Sequence, residues 1–538
     1  MNADKTAVST SATAIRRGGR NDAAGGATDR ERVGMPASVE SRQLTVAGRE
    51  ELGHLARVGT PVEDLARWSA AADRVGPVEL LTGQETSRVQ ELVPVRHARM
   101  ATSAFAFYRG GALVMAADLA LMPRTSLHVQ LCGDAHLSNF GLFAAPDRTV
   151  VFDVNDFDET HPGPFEWDVK RLATSFILAA RDNQQPAKAA RAAAEAACAS
   201  YRVTMANLAG RGDLDIWYSR VDVSGLEATV KTLAGGKKIK HATKEGREVK
   251  ARVTKAVAKA RSRDAWSVIA KITEVVDGRR QFRADPPLLV RLDVNSDLYA
   301  VVGELYQDYL ATLQDDRHHL LKRYQIIDVG HKVVGVGSVG LLAFVVLLRG
   351  RDDQDLMVLQ VKQAQPSVLE AFTQPSAFAR HGQRVVAGQR LTQAASDSFL
   401  GWIDDPAGRS FYVRQLRDMK WSPDPDSLNA DGLYRYAQLC GGTLAHAHAR
   451  SGDAVAISAY LGTSRSFDKA LTAFAASYAD QVERDYAAFA AAIADGRITA
   501  KEDAAGGDGL RAARRLTDHD DPRRDAVTAP TPGRSGRS

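Results

Sequence analysis

The apolar residues of this chain keep two rhythms. Over residues 45 to 125, 166 to 210 and 430 to 497 they recur every three or four positions, the period of a helix with one buried face. A shorter helical stretch is expected over about 376 to 395. Elsewhere, apolar and β-branched residues bunch into strand-length runs: Leu127 to Leu131, Thr149 to Val154, Ala343 to Leu348, Leu356 to Val361 and Ser410 to Leu416. The third and fourth runs flank a polar turn, Arg349 to Asp355, which predicts a hairpin. The pattern therefore predicts an α+β protein, with a small antiparallel sheet unit over 326 to 422 between helical regions at 41 to 325 and 423 to 500. Residues 1 to 40 and 501 to 538 hold too few large apolar side chains to offset the entropy of ordering them, and are expected to be disordered tails.

Composition changes this picture little. A length of 538 residues allows two to four packed units at ~150 residues each. The 44% hydrophobic and 25% charged content is ordinary for a soluble globular chain. Seventy basic against 65 acidic residues leave a net charge of +5, which suits an anionic ligand such as a nucleotide without requiring one. Three scattered cysteines, Cys132, Cys198 and Cys440, argue against a disulfide framework and point to a reducing, cytosolic setting. The N-terminus has no secretory h-region, and the longest strongly apolar run, Leu341 to Leu348, is strand-sized rather than membrane-spanning. Residues 231 to 263 hold twelve Lys or Arg and two Glu. Such a block can grip a nucleic-acid backbone, but Trp217, Tyr218 and Trp266 flank it without interleaving, which favours a solvated basic helical insertion.

Candidate chemistry concentrates in one loop. The strand at 127 to 131 leads into Cys132-Gly133-Asp134-Ala135-His136-Leu137-Ser138-Asn139. The spacing of Asp134 and Asn139 lets a carboxylate face an attacking hydroxyl while an amide oxygen reaches a metal on the far side of the loop. Phosphoryl transfer needs that pair of roles. Asp156, at the end of the next strand, is placed for a second Mg²⁺ ligand, with Asp153 and Asp158 as alternatives. The plain alternative is that these are turn and strand-cap residues.

Gly133 to Asn139 resembles the GDLHPGN catalytic loop of aminoglycoside and choline phosphotransferases, which share a superfamily with the protein kinases. Val154 to Phe157 is similar to the strand-end Asp-Phe or Asp-Trp pair of that superfamily, and Trp167-Asp168 falls at the family's usual offset for a WD pair on the next helix. The resemblance implies Asp134 as catalytic base and Asn139 and Asp156 as Mg²⁺ ligands. It implies His136 and Asp168 as structural supports, with Asp168 bracing the loop from beneath. The histidine that usually precedes the Gly-Asp is Cys132 here.

A kinase also needs a glycine-rich cover over the phosphates and a lysine on a following strand. Nothing in residues 41 to 125 fits, but both features occur downstream. Gly335-Val336-Gly337-Ser338-Val339-Gly340 precedes a strand, a turn and a strand ending in Lys362. That order resembles the kinase V-A-I-K element, whereas a dinucleotide fold would place a helix after the loop. Glu370 is the candidate partner of Lys362, and Arg417 and Met419, leaving the strand at 410 to 416, are candidate adenine contacts. Arg109, expected near Asp134, is either an anchor for an anionic acceptor or a surface ion-pair residue. The expected fold is thus kinase-like and two-lobed, a small antiparallel sheet lobe on a larger helical lobe, with its segments in permuted order. From about 80 to 497 the chain also resembles a large uncharacterised bacterial family, through Gly133 to Gly141, Val334 to Gly340, Gln360 to Lys362 and Tyr412 to Lys420. These readings together predict an ATP- and Mg²⁺-dependent phosphotransferase acting on a hydroxyl of a small molecule. Nucleotidyl transfer to a protein and a non-catalytic nucleotide sensor with a nucleic-acid-binding insertion are the rival expectations.

Overall fold

The computed structural model describes residues 44–222, 254–255, 257–259, 265–286, 289–292, 297–332, 339–416 and 419–501. The expected tails apart from Lys501, most of the basic block, and Gly335, Gly337, Ser338 and Arg417 lie outside the described residues. Within them the protein is mixed α+β, mostly helical, with several small antiparallel sheets.

Helices stand where the periodicity placed them, from Val46–Gly59 to Ala112–Ala120, then Glu166–Asp182 and Ala187–Ala209, and later Ala430–Ser451, Ala454–Leu461 and Ser466–Ala494. The small side chains of Ala187–Ala209 let Ala430–Ser451 come close. A Cβ on Gly441 would sit 2.1 Å from the Ala197 carbonyl oxygen, so only glycine fits there. Glu166–Asp182 is buried continuously from Glu166 to Ala180. A helix enclosed on all sides must pair its polar side chains internally, and the partners of Asp168 and Arg171 define the site described below.

The hairpin predicted around residues 349 to 355 is the centre of a six-stranded sheet. Its strand order is Gly401–Asp404, Ser410–Gln415, Leu356–Ala364, Ala343–Arg349, Gln325–Lys332 and Leu289–Arg291. Ala343 pairs with Lys362 and Arg349 with Leu356, while Lys362 stands opposite Tyr412. Alternate residues of Ala343–Arg349 serve two cores: Val346 and Leu348 pack with Leu359 and Val413, and Val345 and Leu347 with Ile269 and Phe282. Burial on both faces explains why this strand reads as an unbroken apolar run.

The sheet is larger than expected. Gly401–Asp404 joins one edge and Leu289–Arg291 the other, so it reaches beyond the 326 to 422 region. A separate hairpin, Thr273–Val276 with Arg279–Phe282, turns at Asp277-Gly278, with φ 51° and 73°. That Asp-Gly pair was its sequence signal, but the charged residues around it dilute the apolar alternation. Two further antiparallel pairs carry the Asp134 loop: His128–Leu131 with His161–Pro164, and Phe140–Ala144 with Val150–Val154. Among the described residues, no helix is long and apolar enough to cross a membrane, and the three cysteines are buried and unpaired.

Candidate active site

The loop leaves the strand His128–Leu131 through Gly133, at φ 82°, where a Cβ would collide with the Glu159 carbonyl oxygen. Asp168 holds the loop from the enclosed helix, its carboxylate accepting the backbone N–H groups of Cys132 at 2.6 Å and Gly133 at 3.0 Å. His448 Nε2 lies 3.2 Å from the same carboxylate. Asp168 thus contacts the loop at the place where the WD resemblance implied a support. Asn139 Nδ2 donates to the Asp134 carbonyl at 2.8 Å, and the Asn139 carbonyl accepts the Asn155 N–H at 2.8 Å, tying the loop to the next strand end. His136 is buried, and its burial, with Arg109 and Arg171 nearby, holds it well below the usual histidine value and therefore neutral.

The side chain of Asp134 keeps 20% exposure. Arg171 follows Asp168 by three residues on one helix face and places Nε and Nη2 each 2.5 Å from Asp134 Oδ1. Among the described residues, Oδ2 receives no hydrogen bond; His136 Nε2 is 3.6 Å away. Burial raises the Asp134 carboxyl above the ordinary aspartate value, against the opposing charges of Arg171 and Arg109.

The three strand-end aspartates separate. Asp153 is buried, and its carboxylate accepts the N–H groups of Val154 at 2.8 Å and Ala394 at 3.3 Å. Asp158 accepts Lys362 Nζ and the Tyr412 hydroxyl, both at 2.6 Å. Burial alone would raise Asp158, but the Lys362 charge and these two bonds outweigh it and hold the carboxyl down. Among the described residues, Asp156 receives only the Asp158 N–H, at 3.4 Å, and burial followed by the Asp158 charge raises its carboxyl. Asp156 is thus the aspartate with uncommitted oxygens, and it shares a cleft with Asn139.

Lys362 is 5% exposed and lies behind Asp158 rather than on the cleft surface. Burial opposes its charge, but Asp158, Tyr412 and Asp156 more than reverse that, so the amine stays protonated. Its partner is not Glu370, as expected, whose Oε1 accepts the Ser376 N–H at 2.9 Å. Strand register explains the difference. Lys362 and Tyr412 stand opposite each other and both reach Asp158, whereas Glu370 lies past the strand in a turn closed on Ser376.

One wall of the cleft holds Asp134, Asn139, Asp156, Asp158 and Glu159. The strand Leu356–Ala364 contributes Gln363, with Gln365 just beyond it, and the N-terminal helical region contributes Arg88 and Arg109. About 130 Å³ is open to water centres, space for roughly ten waters at about 10–15 Å³ each. That space admits phosphate groups and a hydroxyl beside them. Gly340 and Met419 do not line it: the Gly340 carbonyl accepts the Val89 N–H at 2.8 Å, and Met419 packs on the helical core. The sequence reading missed Arg171, Tyr412 and Glu159. Arg171 had a signal in its helical spacing from Asp168. Glu159 had none, and its burial pushes it up to about 7.

Asp156 with the Asn139 amide is an all-oxygen donor pair suited to Mg²⁺, which takes its remaining ligands from phosphate and water. Among the described residues, no group of three His, Cys, Asp or Glu side chains forms a metal site. Comparison with known proteins places the chain in one family. It belongs to the uncharacterized proteins conserved in bacteria designated DUF2252, whose profile matches residues 88–492. No curated protein and no solved structure matches it.

Proposed function

We propose that the protein is an ATP- and Mg²⁺-dependent phosphotransferase, with a kinase-like two-lobed arrangement built from segments in permuted order. The observation that carries this reading is the 2.6 Å contact between Lys362 Nζ and Asp158. It sets the strand following the glycine-rich segment against the aspartates that follow the Asp134 loop, across 204 residues of chain. Nothing in the local sequence requires that meeting; a single nucleotide bound by both segments would.

In this reading the bound Mg²⁺–nucleotide supplies the phosphoryl group and the charge that stabilises its transfer. Asp156 and Asn139 hold the metal. Lys362, now held by Asp158, would turn to the phosphate oxygens. Asp134 takes the acceptor hydroxyl's proton through Oδ2 while Arg171 fixes Oδ1. The acceptor oxygen bonds to phosphorus as the bond to the leaving diphosphate breaks. A carboxyl raised by burial is a better base than an exposed aspartate, which supports the role given to Asp134.

The test is thermal melting with millimolar Mg²⁺–ATP, followed by mass spectrometry of a metabolite extract incubated with both. Melting should rise by mass action and return to baseline when EDTA removes the metal. A product should gain one phosphate. An unchanged melting temperature defeats the reading, and an adenylyl mass increment replaces it with nucleotidyl transfer.

A further inference from the structure

The cations around the cleft differ in their commitments. Lys362 is bound to Asp158 and Arg171 to Asp134, and Arg88 Nη1 donates to the Val339 carbonyl at 2.6 Å. Arg109 makes no hydrogen bond or ion pair among the described residues. Its guanidinium carbon stands 5.9 Å from the Phe105 ring centroid, and its Nε is buried with no acceptor. Yet Arg109 lines the cleft. Leaving the donors of a part-buried guanidinium unmatched is unfavourable, because charged groups lose the most when removed from water without a partner. An anion entering the cleft would supply the missing acceptors.

Its position beside Asp134 indicates which ligand carries that anion. Arg171 joins the two segments: it bonds Asp134 through Nε and donates from Nη2 to the carbonyl of Tyr108, the residue before Arg109, at 3.0 Å. Arg109 and Asp134 line the cleft together, whereas Lys362 is held by Asp158. The group facing Asp134 is the acceptor, so the acceptor also passes within reach of Arg109. A guanidinium fork matches carboxylate and phosphate oxygens in pairs.

We propose that Arg109 binds an anionic group on the acceptor, a carboxylate or a phosphate. The substrate class is then hydroxy acids or phosphorylated alcohols, rather than neutral or cationic alcohols. The assignment to the acceptor rests on the phosphotransferase reading; the anion site itself does not.

The test is calorimetric titration of inorganic phosphate into the full chain, with and without Mg²⁺ and a non-hydrolysable ATP analogue at saturation. The wild type should bind phosphate in both states, because the analogue fills the Lys362 end and leaves the Arg109 end open. Arg109→Gln should weaken phosphate binding about tenfold or more, while changing affinity for the analogue less than about twofold. Arg109→Lys keeps the charge without the fork and should fall between, with circular dichroism and melting confirming that both variants fold. If Arg109→Gln binds phosphate as the wild type does, or the wild type binds none, the anion site is refuted. If Arg109→Gln loses the analogue together with phosphate, Arg109 serves the nucleotide's own phosphates and the acceptor assignment falls. Failure of the analogue to bind the wild type sinks the phosphotransferase reading alone, and the nucleotide-free titration still decides the anion site.

Discussion

The Asp134 loop and the Lys362 strand meet at one site, but different kinds of contact hold them. The loop is fixed largely by near neighbours in sequence: Asp168 reaches Cys132 and Gly133 across 36 and 35 residues, and Asn139 reaches Asp134 across five, although the Tyr436 hydroxyl also reaches the Leu137 carbonyl. The strand is held in its hairpin by Ala343–Arg349 but reaches the loop region through Asp158, which takes Lys362 across 204 residues and Tyr412 across 254. Near contacts leave a trace in spacing, because a strand, a turn and a helix of given length bring the same positions together each time. Far contacts leave none, and only the folded chain displays them.

The largest expected effect lies in the loop. Asp134→Asn keeps the shape of the side chain and removes its basicity, so ATP-dependent turnover should drop ~10²–10⁴-fold. Affinity for Mg²⁺–ATP should stay within a few fold, since Asp134 is assigned to the acceptor. A variant with full turnover would strip Asp134 of its role and leave the loop as scaffold.

The next two substitutions set the regions against each other. Asp168→Ala orphans two buried N–H groups, at about 1–3 kcal/mol each, and should lower folding stability by about 2–5 kcal/mol. Lys362→Met leaves Asp158 without its counter-ion. Removing one partner of a buried pair costs about 3–5 kcal/mol, but the Asp158 side chain is 21% exposed and keeps the Tyr412 hydroxyl, so about 2–3 kcal/mol is expected. Denaturant unfolding measures both. Adding Asp158→Asn to Lys362→Met should recover about half the loss, whereas simple additivity would show that the pair does not couple the two regions. Hydrogen exchange should speed up in the loop for Asp168→Ala and in the six-stranded sheet for Lys362→Met.

This contrast also explains what could be read beforehand. The helices, the central hairpin and the strand ends around the loop followed from periodicity and turn residues. The Asp168 contact with the loop was suggested only by the family resemblance, through the offset of Trp167-Asp168. The Lys362–Asp158 pair did not follow, and Glu370 stood in its place for want of any rule linking a strand end to an acid two hundred residues earlier. Asp158 was visible only as one of three adjacent acids, and their separation depends on which way each side chain turns from an irregular segment. The edge strands Leu289–Arg291 and Gly401–Asp404 are too short for their alternation to stand out.

The smallest expected effect lies where the two regions touch. The Glu159 carboxylate accepts the Val368 N–H at 2.7 Å, and its carbonyl accepts the Ser367 hydroxyl at 2.8 Å. Burial first, then the charges of Asp158 and Asp134, push this carboxyl from 4.5 up to about 7, against the pull of the Val368 N–H and Arg384. Between those values the folded protein holds the proton and the unfolded chain has lost it. The stability that this group contributes is therefore complete below about 4.5 and is lost as pH rises through about 7. Glu159→Gln keeps an acceptor for Val368 and cannot ionise. Because Glu159 retains some exposure, water screens part of the effect, and the variant should gain about 1–2 kcal/mol over wild type at pH 8. Below pH 4.5 the two should unfold within about 0.5 kcal/mol of each other. Urea unfolding at both pH values separates the outcomes. An equal gain at both would mean that the glutamine simply packs better, and no gain at pH 8 would mean that Arg384 and its neighbours already neutralise the carboxylate where the sheet meets the loop.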